Sequence, residues 1–169
     1  MREASAEFKT VETVYIETTI PSVYFERRPQ AKVVARREWT REWWDNHRRR
    51  YDLVTGFPVI EELSRGDHPD KQDKLALITG VEILAISNAI AEIVQVYLNH
   101  FVMPRDPVAD ALHLALASFH KTGILLTWNC DHLANANKAG HIRRVNTLLG
   151  LHVPMIITPL ELLGKSTDE

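Results

Sequence analysis

The chain has 169 residues, 45% of them hydrophobic, with 20 lysines and arginines against 22 aspartates and glutamates, a formal net charge of −2. That length and composition suit one globular domain and exclude a disordered chain, while the near-balanced charge excludes a polybasic binder and leaves room for a local basic face. The single cysteine, Cys130, excludes an internal disulfide and fits a reducing, cytoplasmic setting.

Residues 1–10 (MREASAEFKT) hold no apolar stretch and read as an N-terminal extension, not a signal peptide, with residues 11–169 as a single domain. No run approaches the ~18 apolar residues that a membrane span needs. The seven glycines are scattered, and none builds the glycine-rich phosphate loop of a P-loop or dinucleotide-binding enzyme. Residues 11–16 (VETVYI) are β-branched and predict a first strand, and residues 53–55 a minor second one. Residues 31–50 predict one long, charge-rich helix, and residues 58–65 a short helix stopping at Gly66. Residues 81–86 predict a third strand. From 89 to 101, Ile90, Ile93, Val94, Tyr97, Leu98 and Phe101 follow the spacing of one helix face. Residues 107–120 predict a helix with Asp106 as its cap and Pro107 in its first position. Residues 124–128 (ILLTW) form a strong strand signal, and residues 141–149 a helix ended near Gly150. Residues 153–157, with Pro154 second, predict an edge strand. Thr158-Pro159-Leu160-Glu161 is a capping box opening a last short helix. Strands alternating with helices predict an α/β domain with a mostly parallel sheet, whose ligands bind beyond the carboxyl ends of the strands.

Polar groups sit at those ends. The first strand runs into Glu17, Thr18 and Thr19, and the fourth into Asn129, with Asp131 two residues on. Glu61 and Glu62 lie in one short helix, and Asp110 lies one turn after Asp106. Carboxylates gathered at a sheet edge repel one another unless a cation sits among them, and a hard divalent ion such as Mg²⁺ or Mn²⁺ takes oxygen ligands. Such an ion lowers the pKa of bound water and polarises a phosphoryl oxygen, the basis of metal-assisted phosphodiester hydrolysis. Taken singly, Asp106 reads as a helix cap and Glu61 as a solvated helix residue. His113, three residues after Asp110, reads as a core or interhelix hydrogen-bonding residue, and Cys130 as a partly buried thiol.

Val14-Tyr15-Ile16-Glu17-Thr18-Thr19, Val59-Ile60-Glu61-Glu62-Leu63-Ser64-Arg65-Gly66, Asp110-Ala111-Leu112-His113-Leu114-Ala115-Leu116-Ala117 and Leu126-Thr127-Trp128-Asn129 resemble the ordered motifs of PIN-domain proteins. The likeness is to the branch holding the toxin ribonucleases of bacterial type II toxin–antitoxin pairs, and it spans about residues 14–163. The resemblance implies a three-layer α/β/α sandwich and a Mg²⁺- or Mn²⁺-dependent endoribonuclease. By position it implies Glu17, Glu62, Asp110 and Asn129 as the catalytic set, with Glu17, Glu62 and Asp110 holding metal. Thr18 and Asp131 are secondary candidates. It also implies an RNA substrate, an antitoxin partner and a homodimer. Two positions depart from the family's pattern. Glu17 stands where Asp is usual, and Asn129 is neutral. The alternative is therefore a non-catalytic PIN-like module that binds RNA or protein, and a third reading is a different phosphate-handling α/β hydrolase.

Residues 31–50 carry seven lysines and arginines against three acids. One expectation is an RNA-contacting face built from Arg36, Arg37, Arg41 and Arg48, with Trp39, Trp43 or Trp44 free to stack on bases. The competing expectations are tryptophans packed on the core beneath solvated arginines, or a dimer contact. The polar stretch holding His132, Asn135, Asn137, His141, Arg143 and Arg144 is a further candidate for the site's rim.

Overall fold

A computed structural model describes residues 11–106 and 108–165, so the proposed N-terminal extension and Pro107 lie outside the described residues. The first strand, β1 (Thr13–Ile16), leads into α1 (Thr19–Tyr24) and α2 (Ala31–Glu42), which continues as a π-helical turn (Trp43–His47) and a 3₁₀ turn (Arg48–Arg50). Next come β2 (Asp52–Gly56), α3 (Phe57–Ser64), α4 (Lys71–Leu77), β3 (Glu82–Leu84) and α5 (Asn88–Asn99). The chain ends with α6 (Ala109–Phe119), β4 (Ile124–Leu126), α7 (Ala136–Leu148), β5 (Met155–Ile157) and α8 (Pro159–Lys165).

The five strands form one all-parallel sheet in the order β3-β2-β1-β4-β5. From Val14 onward in β1, and throughout β4, positions facing either side are hydrophobic, because parallel strands are covered on both faces. Val14, Tyr15, Ile16, Ile124, Leu125 and Leu126 are accordingly all fully buried. One helical layer groups α1, α2 and α8. In the other, α5 packs on α6, and Tyr97 of α5 donates to Asn146 Oδ1 of α7 at 2.6 Å and Ser118 of α6 at 3.3 Å. Burial pushes the Tyr97 phenol up to about 12, so it stays a donor to this network. The result is the three-layer α/β/α architecture. No helix among the described residues is long and apolar enough to cross a membrane.

Several elements differ from the sequence expectation for identifiable reasons. The long helix predicted over 31–50 stops being α-helical at Trp43. Trp43 and Trp44 are adjacent yet both buried, at 0% and 3% exposure, and neighbours on an α-helix point about 100° apart. The wider π turn turns both indoles inward. The strand predicted as minor is a full strand beside the central one. The helix predicted from 107 starts at Ala109, and Asp106 is not its cap: Val108 holds that position without a side-chain cap. Phe101 is not on the core face of α5, because the chain turns at Phe101 (φ 55°) and leaves it 79% exposed. The helix predicted over 141–149 begins earlier, at Ala136, where the Asn135 side chain accepts from the Asn137 N–H. The short helices α1 and α4 carried no signal, having no side-chain cap and, in α4, no buried residue. The final capping box forms as expected, with the Glu161 carboxylate accepting from both the Thr158 N–H and its hydroxyl.

Gly56, where β2 turns into α3, is a close-approach position. A Cβ there would stand 2.6 Å from both Leu116 Cδ1 and the Tyr15 hydroxyl. Its absence lets α6 settle against the sheet next to the candidate site.

Candidate functional site

From β1 the chain moves outward to β2 and β3, then returns to β4 on the opposite side of β1. The reversal falls at the carboxyl ends of β1 and β4, the position of the ligand crevice in open parallel sheets. The Glu17 N–H, just past β1, donates to the Leu126 carbonyl across this junction at 3.3 Å. The Glu17 side chain is 3% exposed. Its Oε2 accepts from the Thr19 N–H at 3.0 Å, the Thr19 hydroxyl at 2.5 Å and the Thr127 hydroxyl at 2.7 Å. Each hydroxyl is itself oriented, since Thr19 Oγ1 accepts from the Trp128 N–H and Thr127 Oγ1 from the Asn129 N–H. The other carboxylate oxygen stands 3.9 Å from His113 Nε2.

The second acid is on α3, and the structure separates the two glutamates. Glu61 is exposed and pairs with Arg65 one turn on. Glu62 turns inward, and its Oε1 lies 2.8 Å from Nε2 of the fully buried His113. A carboxylate only accepts, so Nε2 donates, while the Tyr15 hydroxyl partners Nδ1 at 2.9 Å. Burial pushes the Glu62 carboxyl up, but the bond and charge of His113, the Thr18 hydroxyl and Arg65 outweigh it and hold it below its ordinary value. The Thr18 hydroxyl is buried and makes no hydrogen bond of good geometry. The Tyr15 phenol is held well above its ordinary value by burial and then by the charges of Glu17 and Glu62.

Asp110, in the first turn of α6, is 6% exposed. Its Oδ1 accepts from Asn129 Nδ2 at 3.0 Å, and the Asn129 carbonyl accepts from the His132 N–H at 3.0 Å. The Asn129 amide is thus fixed at both ends. Asp110 Oδ2 is buried with no partner, and so is His132 Nδ1. Burial raises the Asp110 carboxyl and Glu62 adds to the rise, against the opposing pull of His113, His132 and Asn129. Asp131 is exposed and contributes its backbone carbonyl to Asn135. Of the remaining polar stretch, His141 bonds the His100 carbonyl on α5's far end.

Glu17, Glu62, Asp110 and Asn129 therefore line one crevice, linked through Thr19, Thr127 and His113. Among the described residues no lysine or arginine forms an ion pair with any of the three acids. All-oxygen donors and an orphaned, buried Asp110 Oδ2 fit a hard divalent cation. In the described geometry no three His, Cys, Asp or Glu side chains stand together as a metal-holding group, and Glu62 is engaged by His113 instead.

The basic segment is arranged differently. Trp43 and Trp44 are core residues, unavailable for stacking on bases. Arg37 donates to the Glu26 carbonyl, Arg41 to the Tyr24 carbonyl and Arg48 to the Trp44 carbonyl. Arg36 lies over the Trp128 ring.

The sequence reading of His113 as a core, interhelix hydrogen-bonding residue agrees with the structure, but the threonines that hold Glu17 were missed. Thr19 and Thr127 carried no signal, since single threonines at strand ends are ordinary. His113 did carry one: at three residues after Asp110 it shares that helix face, and Tyr15 and Glu17 likewise share one side of the chain. No protein-family model matches this chain, and no curated protein matches it.

Proposed function

We propose that the chain is a Mg²⁺- or Mn²⁺-dependent endoribonuclease that hydrolyses RNA phosphodiesters. The observation that carries this reading is the buried, unpartnered Oδ2 of Asp110 at the end of the sheet where Glu17 and Glu62 also lie, with no lysine or arginine hydrogen-bonded to Glu17, Glu62 or Asp110 among the described residues. The likeness of four ordered segments to PIN-domain toxin ribonucleases supports it. Glu17, Glu62 and Asp110 would hold the ion. When bound, it supplies a water of lowered pKa and charge stabilisation at the phosphate. The chain's own residues prepare the site for this. Thr19 and Thr127 fix Glu17, Asn129 is held between Asp110 and the His132 N–H with its amide in the crevice, and His113 holds Glu62. As a toxin, it would have an antitoxin that covers the acidic crevice, and the protein would work as a cytoplasmic homodimer.

The alternative is a non-catalytic PIN-like module binding RNA or protein. It is favoured by the hydrogen bond that ties Glu62 to His113 and by the lack of a metal-holding trio among the described residues. Titration with Mn²⁺ by calorimetry, alongside cleavage of a generic single-stranded RNA, separates the two. The nuclease reading requires Mn²⁺ uptake and cutting that Asp110→Asn removes together. Wild-type protein that takes up no Mn²⁺ and cuts no RNA establishes the module instead.

A further inference from the structure

Arg36 lies over the side chain of a residue that adjoins the candidate site in the chain. Its guanidinium carbon lies 5.0 Å from the centroid of the Trp128 ring, and Trp128 stands in the chain between Thr127 and Asn129, both of which line the site. The indole is fixed from several directions. Nε1 donates to Thr40 Oγ1 at 2.8 Å, the backbone N–H donates to Thr19 Oγ1 at 2.8 Å, and the ring stacks with Trp39 at 6.2 Å. Trp128 is only 7% exposed, so it offers no face to a base; what it does is hold the cation. Arg37, Arg41 and Arg48 direct N–H groups to backbone carbonyls. Among the described residues no carboxylate or carbonyl accepts from the Arg36 guanidinium. A guanidinium held by its face keeps its planar fork of donors for a ligand, and that fork matches two phosphate oxygens.

We propose that Arg36, seated on Trp128, is a phosphate-binding subsite beside the acids, and that it takes a backbone phosphodiester of single-stranded RNA next to the one being cut. This rests on the reading of RNA as the substrate. The physical need is plain: three carboxylates repel a polyanion, and a cation fixed on the residue between Thr127 and Asn129 offsets that repulsion at the crevice itself. Lys32, Arg49 and Arg50 are exposed and lack such a seat.

The test titrates the full chain into a fluorescein-labelled oligouridylate in EDTA, reading anisotropy and tryptophan fluorescence. Arg36→Gln is expected to bind about tenfold more weakly, with a salt slope shallower by about one. Arg50→Gln removes the same charge from an exposed position and is expected to change little. Arg36→Lys, which keeps the charge without the fork, is expected to fall between them. The proposal is overturned if Arg36→Gln binds like wild type, if both glutamine variants lose equally, if inorganic phosphate binds as tightly as the oligomer, or if wild type binds no oligomer. Since EDTA removes metal, the two readings fail separately. Arg36-dependent binding by a protein that takes up no Mn²⁺ and cuts no RNA sinks the nuclease and leaves the subsite. Mn²⁺-dependent cutting with Arg36-independent binding does the reverse.

Discussion

The acidic crevice and the basic segment use their charges in opposite ways. In the segment from Ala31 to Arg50, three of the seven cations are absorbed by the fold itself: Arg37, Arg41 and Arg48 bond carbonyls, and Arg41 and Arg48 also lie over Tyr24 and Trp44. In the crevice, three acids are buried or half-buried among hydrogen-bond donors, none of them a lysine or arginine. A binding site is located by charges left without partners, and counting charged residues does not find it. By that criterion Asp110 Oδ2 stands out on the acidic side, while on the basic side Arg36 is the unbonded guanidinium that is also seated on a ring.

The strongest way to break this comparison is at Asp110. Asp110→Asn is expected to lower Mn²⁺-dependent RNA cleavage by at least about a hundredfold, the scale of losing one preorganised charge partner. The same variant without metal is expected to be more stable at neutral pH, by about 1 kcal/mol, because it removes a buried, half-unpaired charge. The pH dependence has a defined sign. Asp110's folded value is raised, so its favourable contribution is full below the unfolded value and is lost as pH rises through the raised one. Glu62's is lowered, so its contribution is present above the unfolded value and is lost as pH falls through the lowered one. Thermal melts across the carboxylate range check both: Asp110→Asn flattens the loss with rising pH, and Glu62→Gln flattens the loss with falling pH. Opposite behaviour contradicts the burial of Asp110 in the first case and the pairing of Glu62 with His113 in the second.

Next in size is His113, which joins Tyr15 to Glu62 at zero exposure. His113→Ala is expected to cost about 3 kcal/mol in denaturant unfolding, since it leaves a cavity and two groups unpartnered. His113→Gln retains a donor for Glu62 and should recover part of the loss. Recovery by neither stability nor Mn²⁺ affinity would reduce the histidine to filler. On the basic side, Thr40→Val removes the acceptor of Trp128 Nε1 and is expected to cost roughly 1–2 kcal/mol. If Thr40→Val is silent in both melting and oligomer binding, the Arg36 seat is not rigid. The smallest effect belongs to Glu61, the exposed neighbour of Glu62. Glu61→Gln should change stability by less than about 0.5 kcal/mol and leave cleavage unchanged, because an exposed helix pair with Arg65 contributes little.

Much of the architecture was legible because it follows from local chemistry. Short hydrophobic runs marked β1 and β4, and Thr158 and Glu161 marked the start of α8. The boundaries that were misread are those set by neighbours. The break at Trp43 arises because two adjacent indoles both enter the core, which no helical period encodes. α4 buries nothing completely, so its pattern was silent. In the site, it was the likeness to PIN-domain motifs that singled out Glu62 over Glu61, and the structure puts Glu62 beside His113 and Glu61 in solvent.

By itself, then, the sequence determined that this is an α/β chain with polar residues at the ends of its strands, because periodicity and turn chemistry act over a few residues. The tertiary structure alone decided which of those polar residues meet. Tyr15 and His113 are 98 positions apart, and Glu17 and Thr127 are 110 apart. The parallel order β2-β1-β4 brings Glu17 and Thr127 within 2.7 Å at one end of the sheet. It also decided which charges stay unmatched, since that depends on every donor and acceptor within reach and on no single segment.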